Sequence, residues 1–257
     1  MKSHFYWFFA NLLTFSNFFE IYLSKIFKKP LNKLRTWNGC LFIVENLNNN
    51  LGTIIEVWYE KEYGNLKFLQ NKKSSTVIDI GANIGAFTIF VLNKYKDSCV
   101  YSYEPESVNF NLLKKNVENN NFSSRVSLNA KAVTGEIGEA SISIAGESSG
   151  LNSIKIIKEG RRSEIVSCVT LEDVFITNKI SFCNLLKIDC EGSEYDLLYN
   201  TPAKIFEIIE MIILERHQVE GQSYEDLNLY LEDCGFDVVV NSKFPSIVSA
   251  SKIKKYE

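Results

Sequence analysis

Along most of the chain, short apolar runs alternate with stretches of helical spacing. Residues 75–80 (STVIDI) are apolar, rich in β-branched side chains and end at a glycine, the pattern of a buried strand. Strand-like runs recur at 98–103, 126–133, 184–189 and 208–215. Helical patterns lie between and after them, at 84–96, 106–120, 192–200 and 223–234. Shorter strands are predicted at 139–145 and 163–169, around a Gly/Ser-rich loop at 146–153 (GESSGLNS), and a hairpin at 236–240 and 246–250 closes the pattern. Residues 40–60 alternate apolar runs with an Asn-rich turn and predict one or two short strands. Strands alternating with helices predict an α/β fold, a doubly wound and mostly parallel sheet covered on both faces.

The N-terminal stretch is different. Residues 4–23 are dominated by aromatic and aliphatic side chains, and Lys25, Lys28 and Lys29 follow. Asn11, Thr14, Asn17, Glu20 and Ser24 recur every three or four positions, which predicts one amphipathic helix with a polar stripe and a wide aromatic face. Glu20 and the polar stripe make a membrane span costly, and the order of basic and small residues is not that of a signal peptide. The expectation is a helical extension over residues 1–38. It lies on a membrane surface, or packs on its own domain or a second subunit. The main domain then runs over 39–257.

Composition narrows the class of function. The 257 residues carry a net charge of -3, which is not the basic footprint of a nucleic-acid binder and suits small neutral or weakly charged partners. Six scattered cysteines, with no CxxC pair, argue against a zinc site or a disulfide framework. They read as buried small hydrophobes of a reducing, cytoplasmic protein, with peripheral membrane attachment left open. Two histidines exclude a multi-histidine metal site, and no metal motif is present, so no metal is expected.

The segment with most chemical content is Val77 to Gly85. A strand ends at Asp79, and a turn with Gly81, Asn83 and Gly85 leads into a helix. Ligands of open α/β sheets bind beyond the carboxyl ends of the strands, where strand order reverses. The spacing is D-x-G-x-x-x-G, which departs from the G-x-G-x-x-G of dinucleotide sites. Asp79 would repel a pyrophosphate but would suit the ammonium and sulfonium of S-adenosylmethionine, directly or through water. Gly81 would admit a ligand close to the backbone, and Gly85 would permit tight entry of the helix. Glu104, at the tip of the second strand and followed by Pro105, is placed to accept both hydroxyls of a ribose. Lys131 and Ala132, at the end of the third strand, suit an adenine edge.

With these residues in place the chain resembles the FkbM-type methyltransferase family, over roughly residues 40–240. The most specific match is Lys187-Ile188-Asp189-Cys190-Glu191-Gly192-Ser193-Glu194, similar to the family's K-I-D-x-E-G-x-E signature. Further matches are VIDIGANIGAFT (77–88), YEPE (103–106), Ala132-Val133, TLED (170–173) and LERH (214–217). The resemblance implies the class I methyltransferase fold with its seven-stranded sheet, S-adenosylmethionine as donor, and mostly O-methylation of sugars, glycans or natural products. It implies nothing for the N-terminal helix.

Methyl transfer to a hydroxyl needs a base beside the methyl group. Asp189, Glu191 and Glu194 stand at the end of the fourth strand, and Glu215 and His217 at the end of the fifth. His217 or Asp189 is the expected base, with Glu191 bonding a substrate hydroxyl. Asp189 is also placed for the cofactor's amino end. Loop 146–153 and the segment around Glu60 and Tyr63 are candidate rims of the acceptor pocket. Two competing readings remain at this level: a nicotinamide-dependent oxidoreductase and a non-catalytic binding protein on the same fold.

Overall fold

The computed structural model describes residues 4–64, 66–70, 72–144 and 162–253; loop 146–153 falls outside these. The chain opens with α1 (His4–Thr14) and α2 (Phe18–Phe27), then a small hairpin of β1 (Lys33–Arg35) and β2 (Leu41–Ile43). Helix α3 (Leu47–Ile55) runs on into a π-helical turn, Glu56–Glu60. The core then proceeds as β3 (Ser75–Ile80), α4 (Ala86–Lys94), β4 (Ser98–Tyr103), α5 (Ser107–Asn119) and β5 (Val126–Asn129). Next come β6 (Ala132–Val133), β7 (Gly138–Ile144), β8 (Arg162–Val169) and α6 (Leu171–Thr177). The last part holds β9 (Leu185–Ile188), α7 (Glu194–Tyr199), α8 (Ala203–Glu207), β10 (Met211–Glu215), α9 (Tyr224–Asp233), β11 (Phe236–Val240) and β12 (Ile247–Lys252).

Seven strands form one sheet in the order β11-β12-β10-β9-β3-β4-β5. Pairs β10–β9, β9–β3, β3–β4 and β4–β5 are parallel, and β12 runs antiparallel to both its neighbours. Strand order reverses between β3 and β9, so the crevice for a ligand lies beyond the ends of those two strands. Period-two alternation divides the core. Val77, Leu185 and Ile213 face one layer, with α3, α4 and the N-terminal helices. Ile78, Ile80, Leu186, Ile188, Ile212 and Leu214 face the other, with α6 to α9.

Three sequence expectations change. The run 126–133 is two strands: β5 belongs to the main sheet, and β6 pairs with β8 in a separate three-stranded sheet with β7. Residues 47–60 are helical rather than extended, with the Asn46 side chain accepting from the Asn49 N–H as an N-cap. The single N-terminal helix is broken into two. At the break, Phe15 bridges Thr36, and Asn17 bonds the backbone of Arg35 and Lys33. The polar stripe also divides: Asn11, Thr14 and Ser24 are buried against the protein, while Glu20 is exposed. The β1–β2 hairpin straddles residue 38, and Ala10, Phe15 and Ile21 share one core with Val77 and Leu185 of the sheet. Of the cysteines, Cys40, Cys168 and Cys183 are buried, Cys190 and Cys234 are partly covered, and Cys99 is exposed.

Candidate active site

Two clefts open at the carboxyl edge of the sheet. One is lined by Gly81, Asn83, Tyr103, Glu104, Pro105, Asn109, Lys131 and Ala132, and by Asp189 to Glu191. The other is lined by Glu56, Glu62, Tyr63, Phe87, Lys187 and Asp189, with Glu191, Glu215 and His217. Gly81, Asn83, Asp189 and Glu191 wall both, so a molecule in either cleft abuts its neighbour.

The first cleft is shaped by backbone. Gly81 has φ +75°, and a Cβ there would lie 1.7 Å from the carbonyl oxygen of Asp189. Its missing side chain admits the β9 turn, while its backbone lines both clefts. Gly85 has φ +90°, and a Cβ there would meet Leu113 of α5 at 2.7 Å, so it serves helix packing as expected. Asn83 takes the left-handed conformation that asparagine tolerates, and its N–H donates to Glu104 Oε2 at 2.8 Å. The Glu106 N–H donates to Glu104 Oε1 at 3.0 Å. Burial raises the Glu104 carboxyl to about 7 against these two bonds.

Asp79 lines neither cleft. It is fully buried, with Thr88 Oγ1 donating to Oδ2 at 2.6 Å and Lys187 Nζ at 3.2 Å from Oδ1. The expected contact with the cofactor's positive charge is replaced by an internal ion pair, because Asp79 and Lys187 are cross-strand neighbours in the β3–β9 register. Lys187 also donates to the Gly81 carbonyl at 2.8 Å and lies 3.5 Å from Asp189 Oδ2. Burial opposes its charge, but Asp79 and Asp189 hold the ammonium above the ordinary lysine range.

The second cleft is built from side chains. Glu194 is fully buried; its Oε1 accepts from the N–H groups of Cys190 and Gly192 and faces His217 Nδ1 at 2.8 Å. This carboxylate fixes the turn in which Glu191 adopts φ +54°. It also orients His217, whose Nε2 lies 3.4 Å from Glu191 Oε2 and 4.0 Å from Asp189 Oδ1. Neighbouring Arg216 is buried and anchored to Asn228 and the Ser246 carbonyl, and Tyr195 bonds the His217 carbonyl. Burial works against the imidazolium, yet Glu194, Glu191 and Asp189 raise His217 to about 9. Burial, with help from neighbouring carboxylates, raises Glu62 and Glu191 to about 8 and Glu215 to about 7. Tyr63 donates to Asp189 Oδ2 at 3.0 Å. Five carboxylates thus face one lysine and one histidine. Asp189, Glu215 and His217 each offer a ligand atom, all within 4.8 Å of one another.

The structure brings together Asp189, Glu191, Glu215 and His217, and places Gly81, Asn83, Glu104, Pro105, Lys131 and Ala132 around the first cleft. Tyr63 lines the second cleft, and Glu60 does not. Sequence reasoning missed Glu56 and the role of Lys187, and marked the segment holding Glu62 without naming that residue. The signal available for Lys187 was a charged residue inside an apolar strand.

The first cleft fits S-adenosylmethionine in its donor set: a braced carboxylate for a diol, small apolar walls at Ala132 and Val133, and acidic groups on the far side. The fold and these clefts are those of an S-adenosylmethionine-dependent methyltransferase of class I. The METTL16 MTase domain shares the fold, with a TM-score of 0.50, 13% identity, and coverage of 91% of this chain and 92% of that one. The family model for the methyltransferase FkbM domain matches residues 79–238, more than half of the chain, and the chain belongs to that family. "Methyltransferase 1" of Beauveria bassiana (strain ARSEF 2860) is 23% identical over 203 residues, covering 72% of this chain and 80% of the relative. The 31-O-demethyl-FK506 methyltransferase FkbM of Streptomyces tacrolimicus is 27% identical over 198 residues, covering 65% and 75%. The nicotinamide and non-catalytic readings are set aside by this membership.

Proposed function

We propose that the chain methylates a hydroxyl oxygen of an uncharged, polyhydroxylated acceptor: a sugar, a glycan or a hydroxylated natural product. The observation that carries this reading is the acidic cleft, with His217 Nε2 facing inward, sharing four wall residues with the cofactor cleft. Carboxylates accept hydrogen bonds from hydroxyls, as this cleft's five acidic side chains would from a polyhydroxylated acceptor. The same acidic walls would repel a phosphodiester backbone, which supports a non-nucleic-acid acceptor. The relative from Streptomyces tacrolimicus has a name that specifies an oxygen, position 31 of a demethylated FK506. The scattered thiols support a reducing, cytoplasmic setting.

S-adenosylmethionine supplies the activated methyl group. Glu104 would hold the ribose hydroxyls on the lone pairs its two backbone bonds leave free. Gly81, Asn83, Pro105, Lys131 and Ala132 would wall the nucleoside, and the Asp189 turn would hold the amino end. Asp79 and Gly85 act at one remove, through Lys187 and through helix packing. His217 takes the acceptor's proton at Nε2 once it has lost its own, while Asp189 and Glu191 orient the acceptor hydroxyls.

The test is incubation with methyl-labelled S-adenosylmethionine and a panel of sugars, glycans and hydroxylated natural products. Label in a methoxy group is expected. Label on nitrogen, on carbon or on added RNA alone would overturn the reading. One observation favours a second reading: the Asp189–Glu215–His217 cluster has the donor set and spacing for a divalent ion that would bind the hydroxyl directly. Activity lost to a chelator and restored by magnesium or manganese would select that reading. An unchanged rate would select His217 as base.

A further inference from the structure

Helices α1 and α2 turn apolar side chains outward. Phe5 and Phe19 are 74% exposed and Phe27 is 63% exposed, with Phe8, Phe9 and Ile26 open beside them. Their buried face is instead partly polar, holding Asn11, Thr14 and Ser24. Aromatic surface is the costliest kind to leave in water, and a patch of this size marks a contact. An apolar groove lies between the two helices, lined by Trp7, Phe8, Phe18 and Tyr22 among others, and Lys25 stands at its edge. Lys25 also lines an adjoining polar depression with Lys28, Lys29, Ser24, Asn46 and Asn48. Glu20 is the single acidic residue within the two helices.

We propose that α1 and α2 are an interfacial docking element that seats the protein on a membrane surface containing anionic lipids. The aromatic face enters the boundary between headgroups and acyl chains, and Lys25, Lys28 and Lys29 engage lipid phosphates. Charge selects this occupant. Lys25, Lys28 and Lys29 cluster at and just beyond the C-terminal end of α2, beside the aromatic face, and complement a negatively charged surface. Geometry selects the mode. With 11 and 10 residues, the two helices are each about 15 Å long, half of a hydrocarbon core. No helix among the described residues is long and apolar enough to cross a membrane. This inference is independent of the acceptor's identity.

The experiment is co-sedimentation of the full chain with sucrose-loaded vesicles of phosphatidylcholine, with or without one third phosphatidylglycerol. Binding to the anionic vesicles and its weakening at high salt are expected. Replacing Lys25, Lys28 and Lys29 together by Gln should lower partition about a hundredfold, from roughly fivefold per lysine. The triple variant Phe5→Ser, Phe19→Ser, Phe27→Ser should lower it at least tenfold, from lost apolar burial. Those side chains are solvent-exposed, so calorimetric binding of S-adenosylmethionine should survive and certify the fold. Wild-type protein that stays in the supernatant with both vesicle types would overturn the proposal. So would equal binding by the Lys→Gln variant. A dimer lost in the Phe→Ser variant, without vesicle binding, would assign the face to a second copy instead.

Discussion

The two clefts at the sheet edge are built by different means. The cofactor cleft is made by turns: Gly81, Asn83, Glu104 and Ala132 lie within a few residues of a strand end, and much of its geometry is backbone. The acceptor cleft is made by long side chains from five segments, Glu56, Glu62 and Tyr63, Phe87, Lys187 to Glu191, and Glu215 with His217. A turn-built cleft tolerates almost no change of backbone shape and places a common ligand. A side-chain-built cleft can change one group at a time without disturbing the backbone.

The sharpest way to break this contrast is Gly81→Ala. The new methyl would sit at 1.7 Å from the Asp189 carbonyl, in a left-handed backbone region. We expect a loss of about 4 kcal/mol of stability and no measurable cofactor binding, read by thermal unfolding and calorimetry.

Next in size is His217→Asn. It should lower kcat by about 10²–10⁴-fold with cofactor affinity unchanged within about twofold. The pH profile sharpens the assignment. His217 is raised from its ordinary 6.5 to about 9, so only about 1% is neutral at pH 7. Activity should therefore rise about tenfold per pH unit and level off near 9, where the imidazole has lost its proton. Glu194→Gln removes the charge that holds this proton, and the limb should move to lower pH.

Glu104→Ala should weaken S-adenosylmethionine binding by about 1–3 kcal/mol while sparing kcat at saturating cofactor. Unchanged affinity in a titration would remove Glu104 from the ribose. The smallest effect expected is from Tyr63→Phe. Losing one hydroxyl bond to Asp189 should raise the acceptor KM about three- to tenfold and leave cofactor affinity alone.

The same contrast explains what could be read from the sequence. Strands β3, β4, β9 and β10 and the turns after them are local patterns, and Glu104 was placed at its cleft by position alone. Asp79 was misread because its partner, Lys187, is remote in sequence and meets it only through sheet register. Glu56 was invisible because β-branched Ile54 and Ile55 and the Asn-rich run before them imitate a strand and turn. The segment is helical because Asn46 caps it and Leu51, Ile54 and Ile55 pack on the core. The break in the N-terminal helix depends on Phe15 pairing with Thr36, a contact no local periodicity encodes.

The shared wall of Gly81, Asn83, Asp189 and Glu191 has a thermodynamic corollary. Any shift of that wall on filling one cleft changes the free energy of filling the other, and linkage makes the effect reciprocal. If donor tightens acceptor by some factor, acceptor tightens donor by the same factor. Lys187, bonded at once to Gly81, Asp79 and Asp189, ties the two sides of the wall together and is the contact through which such a linkage would pass.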